Sequence, residues 1–375
     1  MDALTRLSGD AQAFVEKIWA HRIHVHDTKA SDLVGLLRMD DVDQLLTSTA
    51  LRTPALRMVQ DGSVLASTRY TRSATMAGVA LTGLVDARKV LALFDEGASI
   101  VLQGLHRYWP PLTELVRDLE LSLGHACQAN AYLTPPGSQG FALHSDTHDV
   151  FVVQTYGAKD WEVHDGHGIN RIQMEPGVSM YLPTGTPHAA RTQSEASLHV
   201  TIGINPTTWR KVLERHMNRL LADPAFDQPL PAGYHRDPDG LAATLAAHVD
   251  RLRGLLGHAD IDAFAASEID RLATTRASAL RGALVDRLHI ANLHDASWLR
   301  RRTGSVCELR PDNDRLRVLL GDREMRVPGW LAEPLEAVCK ADRLRPRDLA
   351  EWLDEASRLV LIRRLVREGL LEVER

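Results

Sequence analysis

Three residues in the middle of the chain have the types and spacing of a metal site. His144 and Asp146 form an H-x-D pair, and His188 follows at the end of the segment YLPTGTPH. Alternate residues of a β-strand project to the same face, so the first two side chains can point into one cavity. Two histidines and one carboxylate hold one face of a metal ion and leave the other open, as in non-haem Fe(II) oxygenases. The pattern therefore predicts an iron site formed by these three residues.

The segments that carry these residues have the pattern of short β-strands. From Ala126 to about Asn205, runs such as SMYLP and SLHVTIGI alternate with turns that contain proline and glycine, such as PPGSQG and PTGTP. Many short strands separated by such turns predict a sandwich or barrel of jelly-roll type. An H-x-D pair alone also occurs on solvated strands. The later histidine and the β-rich surroundings favour a metal site instead.

Helical patterns flank this β-rich region on both sides. Amphipathic runs such as PPLTELVRDLELSL precede it, and TTWRKVLERHMNRLLAD follows it. From about Leu293 the chain alternates strands with short helices and ends in helix, turn, helix and apolar strand, which favours a winged-helix module. We therefore predict a catalytic domain with N-terminal helices over 1–205, a helical region suited to dimerisation over 206–290, and a winged-helix-like domain over 291–375.

The overall composition is that of an ordinary globular protein. Hydrophobic residues make up 44% and charged residues 25% of the chain, and the formal net charge is −5, which gives no general attraction to nucleic acid or membranes. No apolar run is long enough to span a bilayer, and the first residues read as an amphipathic helix instead of a signal peptide. Cys127, Cys307 and Cys339 are far apart and form no C-x-x-C pair. We therefore expect reduced thiols and a cytoplasmic location.

Two long motifs of the chain resemble a known family. The segments NAYLTPPGSQGFALHSDTHDVFVVQTYGAKDW and GVSMYLPTGTPHAA are similar to the JmjC family of Fe(II)- and 2-oxoglutarate-dependent oxygenases, in its ribosomal-oxygenase (cupin-like) branch. A weaker similarity extends to LRTPALRMV, to the segment that follows it and to the C-terminal part. The resemblance implies a mainly β catalytic core of the double-stranded β-helix (jelly-roll, JmjC) type, with Fe(II), 2-oxoglutarate and O2 as cofactor and cosubstrates.

The resemblance also implies roles for residues around the metal site. Lys159 stands where the family has a basic residue that binds the distal carboxylate of 2-oxoglutarate, a role that suits an ammonium in a partly desolvated pocket. Asn130 and Tyr132 match residues that line the cosubstrate and substrate pocket, and Thr201 and His199 are expected to face the same pocket. For Lys159 the alternative is an exposed residue in a tight turn, and for Tyr132 it is a core aromatic.

Gly203 and His148 are two further positions of interest near the site. Relatives often carry a serine where Gly203 stands, which puts one secondary hydrogen bond in doubt. His148 has the same strand parity as His144 and Asp146, so we expect it to orient a ligand or to lie at the pocket mouth, with a structural role as the alternative.

The leading functional hypothesis is a dioxygenase that hydroxylates an amino-acid side chain of a protein or peptide, such as a ribosomal protein. Alternatives are the same chemistry on a ribosomally made peptide natural product or small molecule, a non-catalytic cupin-like metal-binding regulator, and a zinc enzyme. A homodimer is expected from the helical region, and membrane binding is not. The C-terminal module is expected to contact protein in preference to nucleic acid, because acidic residues alternate with its arginines.

Overall fold

The computed structural model describes residues 2–28, 31–138, 142–192 and 194–374. These residues form two compact units: the first contains residues 1–206, 279–288 and 302–305, and the second contains residues 207–278, 289–301 and 306–375. The helices and strands up to residue 206 are α1 (Ala3–Ser8), α2 (Ala11–Lys17), β1 (His24–Asp27), α3 (Ser31–Val34), α4 (Met39–Ser48), β2 (Leu56–Gln60), β3 (Ser63–Val64), β4 (Thr71–Met76), β5 (Val79–Val85), α5 (Ala87–Asp95), β6 (Ser99–Leu102), α6 (Pro110–Leu123), β7 (Ala126–Thr134), β8 (His144–Ser145), β9 (Asp149–Tyr156), β10 (Lys159–His164), β11 (Ile169–Met174), β12 (Val178–Leu182), β13 (Pro187–Thr192) and β14 (Ser197–Asn205).

The first unit is built on two antiparallel sheets. The major sheet has eight strands in the order β1-β12-β9-β14-β7-β6-β2-β3, and the minor sheet has four in the order β11-β10-β13-β8. A hydrophobic cluster that includes Val152 of β9, Trp161 of β10 and Ala190 of β13 contains residues of both sheets. The sheets therefore pack face to face, and the expectation of a mainly β core with helices is confirmed.

The apolar run on β9 shows how the sequence fits this layering. Val150 and Val152 belong to the cluster between the sheets, whereas Phe151 and Val153 belong to the larger core that includes residues of the helices. A strand buried on both faces reads as a continuous apolar run instead of an alternating one. The apolar middle of β9 therefore packs on both of its faces, and the polar residues of the strand lie towards its two ends.

The helices before β7 begin and end where local signals predict. Asp86 accepts hydrogen bonds from the N–H groups of Arg88 and Lys89 at the start of α5. Helix α6 begins with Pro110 at its first position and ends at Gly124 in the left-handed conformation, as expected for a proline start and a glycine stop. These helices cover the outer face of the major sheet in the largest hydrophobic core.

The second unit combines helices with two small sheets. Its three-stranded sheets have the orders β19-β15-β20 and β16-β17-β18. The remaining elements of the chain are α7 (Trp209–Leu220), α8 (Pro238–Gly257), α9 (Ile261–Thr274), α10 (Ala283–His289), β15 (Leu299–Arg301), β16 (Glu308–Asp312), β17 (Arg315–Leu319), β18 (Glu324–Pro328), α11 (Ala332–Lys340), β19 (Arg343–Leu344), α12 (Glu355–Arg367) and β20 (Leu371–Val373). All of α10 except its last residue is grouped with the first unit.

The division of the chain differs from the three parts expected from the sequence. The first break falls after Pro206, next to the expected one, but most of the helical region shares a unit with the C-terminal part. Asp270 of α9 explains this grouping, because it accepts hydrogen bonds from Arg310 of β16 and Arg317 of β17. The backbone N–H of Arg276 also donates to the carbonyl of Gly321. Such contacts join segments that are distant in sequence.

The expectation of three reduced cysteines is wrong for two of them. Cys307 and Cys339 form a disulfide, with Cα atoms 5.7 Å apart, and Cys127 is a buried thiol. The two half-cystines are 32 residues apart in sequence, and tertiary packing brings α11 beside the start of β16. Among the helices of the described residues, none is both long and apolar enough to cross a membrane.

Candidate metal centre and adjoining cavity

The three predicted metal ligands lie together at one end of the minor sheet. His144 of β8 and His188 of β13 are direct partners across the two antiparallel strands, and their ring centroids are 4.5 Å apart. Asp146 follows β8, and its Oδ2 atom lies 3.8 Å from Nε2 of His188. One ligand atom of each residue lies within 4.8 Å of those of the others, which is the separation expected around a single metal ion.

Hydrogen bonds to the backbone orient both histidines. Nδ1 of His144 lies 2.8 Å from the carbonyl oxygen of Ala142, and Nδ1 of His188 lies 2.9 Å from that of Thr186. When Nδ1 donates to a carbonyl, Nε2 keeps its lone pair for a metal. Burial lowers the pKa of His188, and neighbouring His144 acts in the same direction. Both effects favour the neutral imidazole that a metal requires.

A cavity of about 230 Å³ adjoins these ligands between the two sheets. Its wall combines apolar side chains with a small number of polar ones, as is usual for a small-molecule site. The residues that line it are Arg57, Val59, Ser99, Tyr132, Thr134, His144, Asp146, Val150, Val152, Lys159, Trp161, His188, Ala190, His199 and Thr201. Asp146 is the sole carboxylate in this set of described residues.

Lys159 provides a buried positive charge in the cavity wall. Its side chain is only 2% exposed, and Nζ donates to Oγ1 of Thr134 over 3.1 Å. Ser99 donates to the same Thr134 oxygen over 3.2 Å. Burial lowers the pKa of Lys159 to about 8, because a desolvated ammonium is unfavourable without a counter-charge. The ammonium of Lys159 and the hydroxyl of Thr134 therefore lie together, which is a donor set suited to a carboxylate.

Nε1 of Trp161 and Nδ1 of His199 are buried polar atoms in the same wall, and neither has a hydrogen-bond partner among the described residues. Burial keeps the pKa of His199 well below its usual value, with Lys159 and His188 acting in the same direction. The His199 ring stacks on Tyr132, with centroids 5.0 Å apart. Buried polar atoms are normally satisfied, so a polar ligand bound in the cavity would be a suitable partner for these two.

The structure brings most, but not all, of the predicted pocket residues into the cavity wall. Tyr132, Thr201 and His199 line it, together with Lys159. Asn130 does not: its Oδ1 atom instead accepts a hydrogen bond of 2.9 Å from the backbone N–H of Gly104. Gly104 has a φ of +68°, and its backbone N–H is the group that donates to the side chain of Asn130. The expectation that Asn130 lines the pocket is therefore not supported.

The side chain of His148 fills the space next to Gly203. A Cβ atom added to Gly203 would lie 2.5 Å from Nε2 of His148, so the imidazole occupies the space that a serine side chain would need. His148 is not among the residues that line the cavity. The departure at Gly203 is therefore accompanied by a second side chain that fills the vacated space.

Sequence reasoning missed four polar residues of the wall. Trp161 and Thr134 share strand parity with the predicted residues Lys159 and Tyr132, so alternation along their strands could have indicated them. Arg57 and Ser99 lie on β2 and β6, which precede the β-rich region, and no local pattern marks them. Arg57 is joined to Tyr132 by a hydrogen bond between their side chains.

Residues 111–169 and 163–212 match the JmjC domain family. A bifunctional lysine-specific demethylase and histidyl-hydroxylase NO66 of Culex quinquefasciatus is 31% identical in an alignment of length 159 that covers 36% of this chain and 24% of that protein. Ribosomal oxygenase 1 of Danio rerio is 28% identical in an alignment of length 169 that covers 38% of this chain and 31% of that protein. The chain thus matches about a quarter to a third of the length of these relatives.

Solved structures resemble the chain over almost its whole length. The Escherichia coli ribosomal oxygenase YcfD has a TM-score of 0.56 at 17% sequence identity, with 97% of this chain and 98% of that chain covered. A structure of YcfD in complex with cobalt and 2-oxoglutarate gives the same TM-score and coverage. At this identity the likeness shows a common fold. Residues 111–212 are thus similar to the JmjC domain, and the chain has the fold of the ribosomal oxygenase YcfD.

Proposed function

We propose that this protein is an Fe(II)- and 2-oxoglutarate-dependent dioxygenase that hydroxylates an amino-acid side chain of a protein or peptide. One observation carries the proposal: the cluster of His144, Asp146 and His188 opens onto a cavity whose wall holds the buried ammonium of Lys159. A divalent metal ion suits the first group, and a carboxylate suits the second. A dicarboxylate that also binds the metal would satisfy both.

The residues of the site fit iron and 2-oxoglutarate by their donor types. His144, Asp146 and His188 would hold the metal through two nitrogens and one oxygen. Lys159 and Thr134 would hold the distal carboxylate, and the indole N–H of Trp161 is a further donor to a bound oxygen atom. When bound with O2, iron and 2-oxoglutarate supply oxygen-atom insertion into a C–H bond, with succinate and carbon dioxide as the products of the cosubstrate.

The chain's own contribution is to bind, orient and exclude water. Hydrogen bonds from both imidazoles to backbone carbonyls keep Nε2 available to the metal. Val150 and Val152 make part of the cavity apolar, which limits water near the reacting groups. An ammonium buried in this wall would bind a carboxylate more strongly than one in solvent, because the local dielectric is low.

The names of the relatives support a protein substrate. They are called histidyl-hydroxylases and ribosomal oxygenases, so we propose a ribosomal protein as the substrate class. The same site chemistry on a peptide natural product or a small molecule is the alternative.

The proposal predicts that Fe(II) and 2-oxoglutarate bind together. Anaerobic addition of Fe(II) and then 2-oxoglutarate to the apoprotein should produce a visible charge-transfer band that requires both. His188→Ala should abolish the band, because it removes one of three ligands, and succinate formation in air should be lost with it. A wild-type protein that shows no band, or that retains zinc tightly against Fe(II), would contradict the proposal.

The helical region supports a further proposal of a homodimer. Helix α8 has 20 residues and none of them is buried. Its Leu245, Val249 and Leu256 are exposed by 60%, 39% and 41%, and their spacing places them on one helical face. Sedimentation analysis should show a dimer that Leu245→Glu dissociates. Ala243→Glu, on the opposite face, is the control, and a monomeric wild type would contradict the proposal.

The C-terminal part is proposed as a winged-helix-like module that contacts protein instead of nucleic acid. Strands β15, β19 and β20 form one sheet, and α11 and α12 contribute to the same hydrophobic core. Arginines of these strands are ion-paired, since Arg300 pairs with Glu372 and Arg343 with Glu374. Arginines that are paired with carboxylates attract nucleic-acid phosphates only weakly.

A further inference from the structure

We infer that strand β9 carries two positioning residues, one for each half of the site. Asp149, at its start, holds the loop that fixes two of the metal ligands. Gln154, near its end, makes hydrogen bonds to the turn that precedes Lys159. The inference rests on the proposed function, because it concerns the same metal and the same carboxylate.

Asp149 is a buried carboxylate that receives three hydrogen bonds. Oδ1 accepts from the backbone N–H of Thr184 over 2.8 Å and from its hydroxyl over 2.5 Å, and Oδ2 accepts from the hydroxyl of Tyr181 over 2.5 Å. Only 3% of Asp149 is exposed. Burial raises the pKa of Tyr181, and its hydrogen bond to Asp149 adds to this, so the phenol keeps the proton that it donates. A buried charge with this many donors fixes its neighbours firmly.

The loop that Asp149 holds touches both Asp146 and His188. Next to Thr184, the backbone N–H of Gly185 donates to the carbonyl oxygen of Asp146 over 2.9 Å. The following carbonyl, that of Thr186, accepts the hydrogen bond from Nδ1 of His188. The carboxylate of Asp149 is therefore linked to both metal ligands through the hydrogen bonds of one short loop, from Thr184 to Thr186. Outer partners of this kind set the orientation of metal ligands and thereby the metal affinity.

Gln154 makes a separate set of contacts at the other end of β9. Its amide nitrogen lies 2.8 and 3.1 Å from the carbonyl oxygens of Tyr156 and Gly157 and 2.8 Å from Oγ of Ser197, so its two N–H groups are shared among three acceptors. Two of the three acceptors are carbonyls, which identifies the donating atom as nitrogen. Gln154 is fully buried. The turn that it holds leads directly into Lys159, the first residue of β10.

The two sets of contacts share no residue. The Asp149 contacts involve Tyr181 and the loop before β13, whereas the Gln154 contacts involve the β9–β10 turn and the start of β14. The metal and the distal carboxylate should therefore respond to separate substitutions. General loosening of the sandwich would instead weaken both together.

The first test replaces Asp149 and measures metal binding. Asp149→Asn preserves shape but removes the charge, and we expect the Kd for Co(II), followed by its visible absorption, to rise by roughly tenfold or more. The 2-oxoglutarate Kd of protein saturated with Co(II) should change much less. Thr184→Val removes one donor without removing the carboxylate, and it should shift Co(II) binding in the same direction by a smaller factor.

The second test replaces Gln154 and measures cosubstrate binding. Gln154→Met has similar length and volume but cannot donate to the turn. We expect the 2-oxoglutarate Kd of Co(II)-loaded protein to rise by roughly tenfold, the scale of one or two lost hydrogen bonds. The Kd for Co(II) should stay near the wild-type value.

Glu120→Gln serves as the matched control for lost buried charge. Glu120 is 4% exposed and accepts a hydrogen bond from the backbone of Cys127, but it does not line the cavity. It should change the thermal stability of the apoprotein without the selective effect on either ligand.

Three outcomes would count against the inference in different ways. Wild-type Co(II) affinity in Asp149→Asn, or wild-type 2-oxoglutarate affinity in Gln154→Met, would overturn the role of that residue. Equal loss of both ligands in both variants, in proportion to lost stability, would reduce both residues to ordinary structural ones. A wild-type protein that binds neither ligand would overturn the proposed function itself, and the inference with it.

Discussion

At the scale of single residues, Lys159 has the most unusual environment. A buried ammonium that donates a hydrogen bond to a neutral hydroxyl is costly, and burial lowers the pKa of Lys159 to about 8. Because this pKa lies below the usual value for lysine, the unfolded chain binds more protons than the folded protein above about pH 8. Loss of the proton therefore stabilises the fold as pH rises, although it removes the charge that a carboxylate needs. Stability and cosubstrate binding should change in opposite directions.

This opposition predicts a pH dependence of cosubstrate binding. The Kd for 2-oxoglutarate on Co(II)-loaded protein should rise between about pH 7 and about pH 9, as the ammonium titrates. Lys159→Arg keeps a charge throughout this range, so its Kd, measured by calorimetry, should be nearly constant. A wild-type Kd that is as constant as that of the variant would mean that the ammonium does not bind the carboxylate.

At the scale of elements, the turn between β9 and β10 sets where Lys159 enters the sheet. Gly157 has a φ of +60°, and a Cβ atom there would lie 1.9 Å from the carbonyl oxygen of Ala196. Glycine is therefore needed both for the conformation and for the close approach of another backbone. Gln154 holds the same turn through its amide.

Gly157→Ala should separate these two requirements when it is compared with Gly166→Ala. Gly166 also has a positive φ, of +84°, but nothing lies within 4 Å of an added Cβ. We expect Gly166→Ala to lower the free energy of unfolding by roughly 1–2 kcal/mol. Gly157→Ala should cost roughly 1–3 kcal/mol more, through the backbone clash, and should weaken 2-oxoglutarate binding. Equal losses in chemical denaturation would argue against the clash.

At the scale of the whole molecule, the chain returns to its first unit after leaving it. Residues 279–288 and 302–305 both belong to that unit, and a buried pair joins them: Arg302 is 4% exposed and Asp286 is 3% exposed on their side chains. A truncation at about Leu293 would therefore remove part of the first unit along with the C-terminal module. It would not test the module alone.

Arg302→Ala should consequently destabilise the first unit strongly. Loss of one partner of a buried ion pair costs about 3–5 kcal/mol, because the other charge loses compensation in a desolvated place. Arg281→Ala is the control, since Arg281 pairs with Glu114 at 3.4 Å and is 72% exposed on its side chain. An exposed pair contributes about 0–1 kcal/mol. Similar unfolding free energies for the two variants would show that the return segments do not stabilise the unit.

Local patterns in the sequence determined much of this protein. Alternation placed His144 and Asp146 for one cavity, and the structure has their side chains within reach of His188. Strand and turn signals between Ala126 and Asn205 predicted the β-rich core, and proline and glycine marked the ends of α6. These features depend on period and on turn chemistry, which neighbouring residues encode. The proposed role of Lys159 depends on family resemblance, because its local pattern alone favoured an exposed turn.

Tertiary structure alone decided the remainder. Ser99 and Arg57 reach the cavity because β6 and β2 extend the sheet beyond β7, a pairing that no local period encodes. Asn130 does not line the cavity, and its side-chain oxygen accepts a hydrogen bond from the backbone of Gly104. Cys307 meets Cys339 because α11 packs beside the start of β16. Each of these outcomes depends on a contact between residues that are distant in sequence, and such contacts exist only once the sheets and helices have packed.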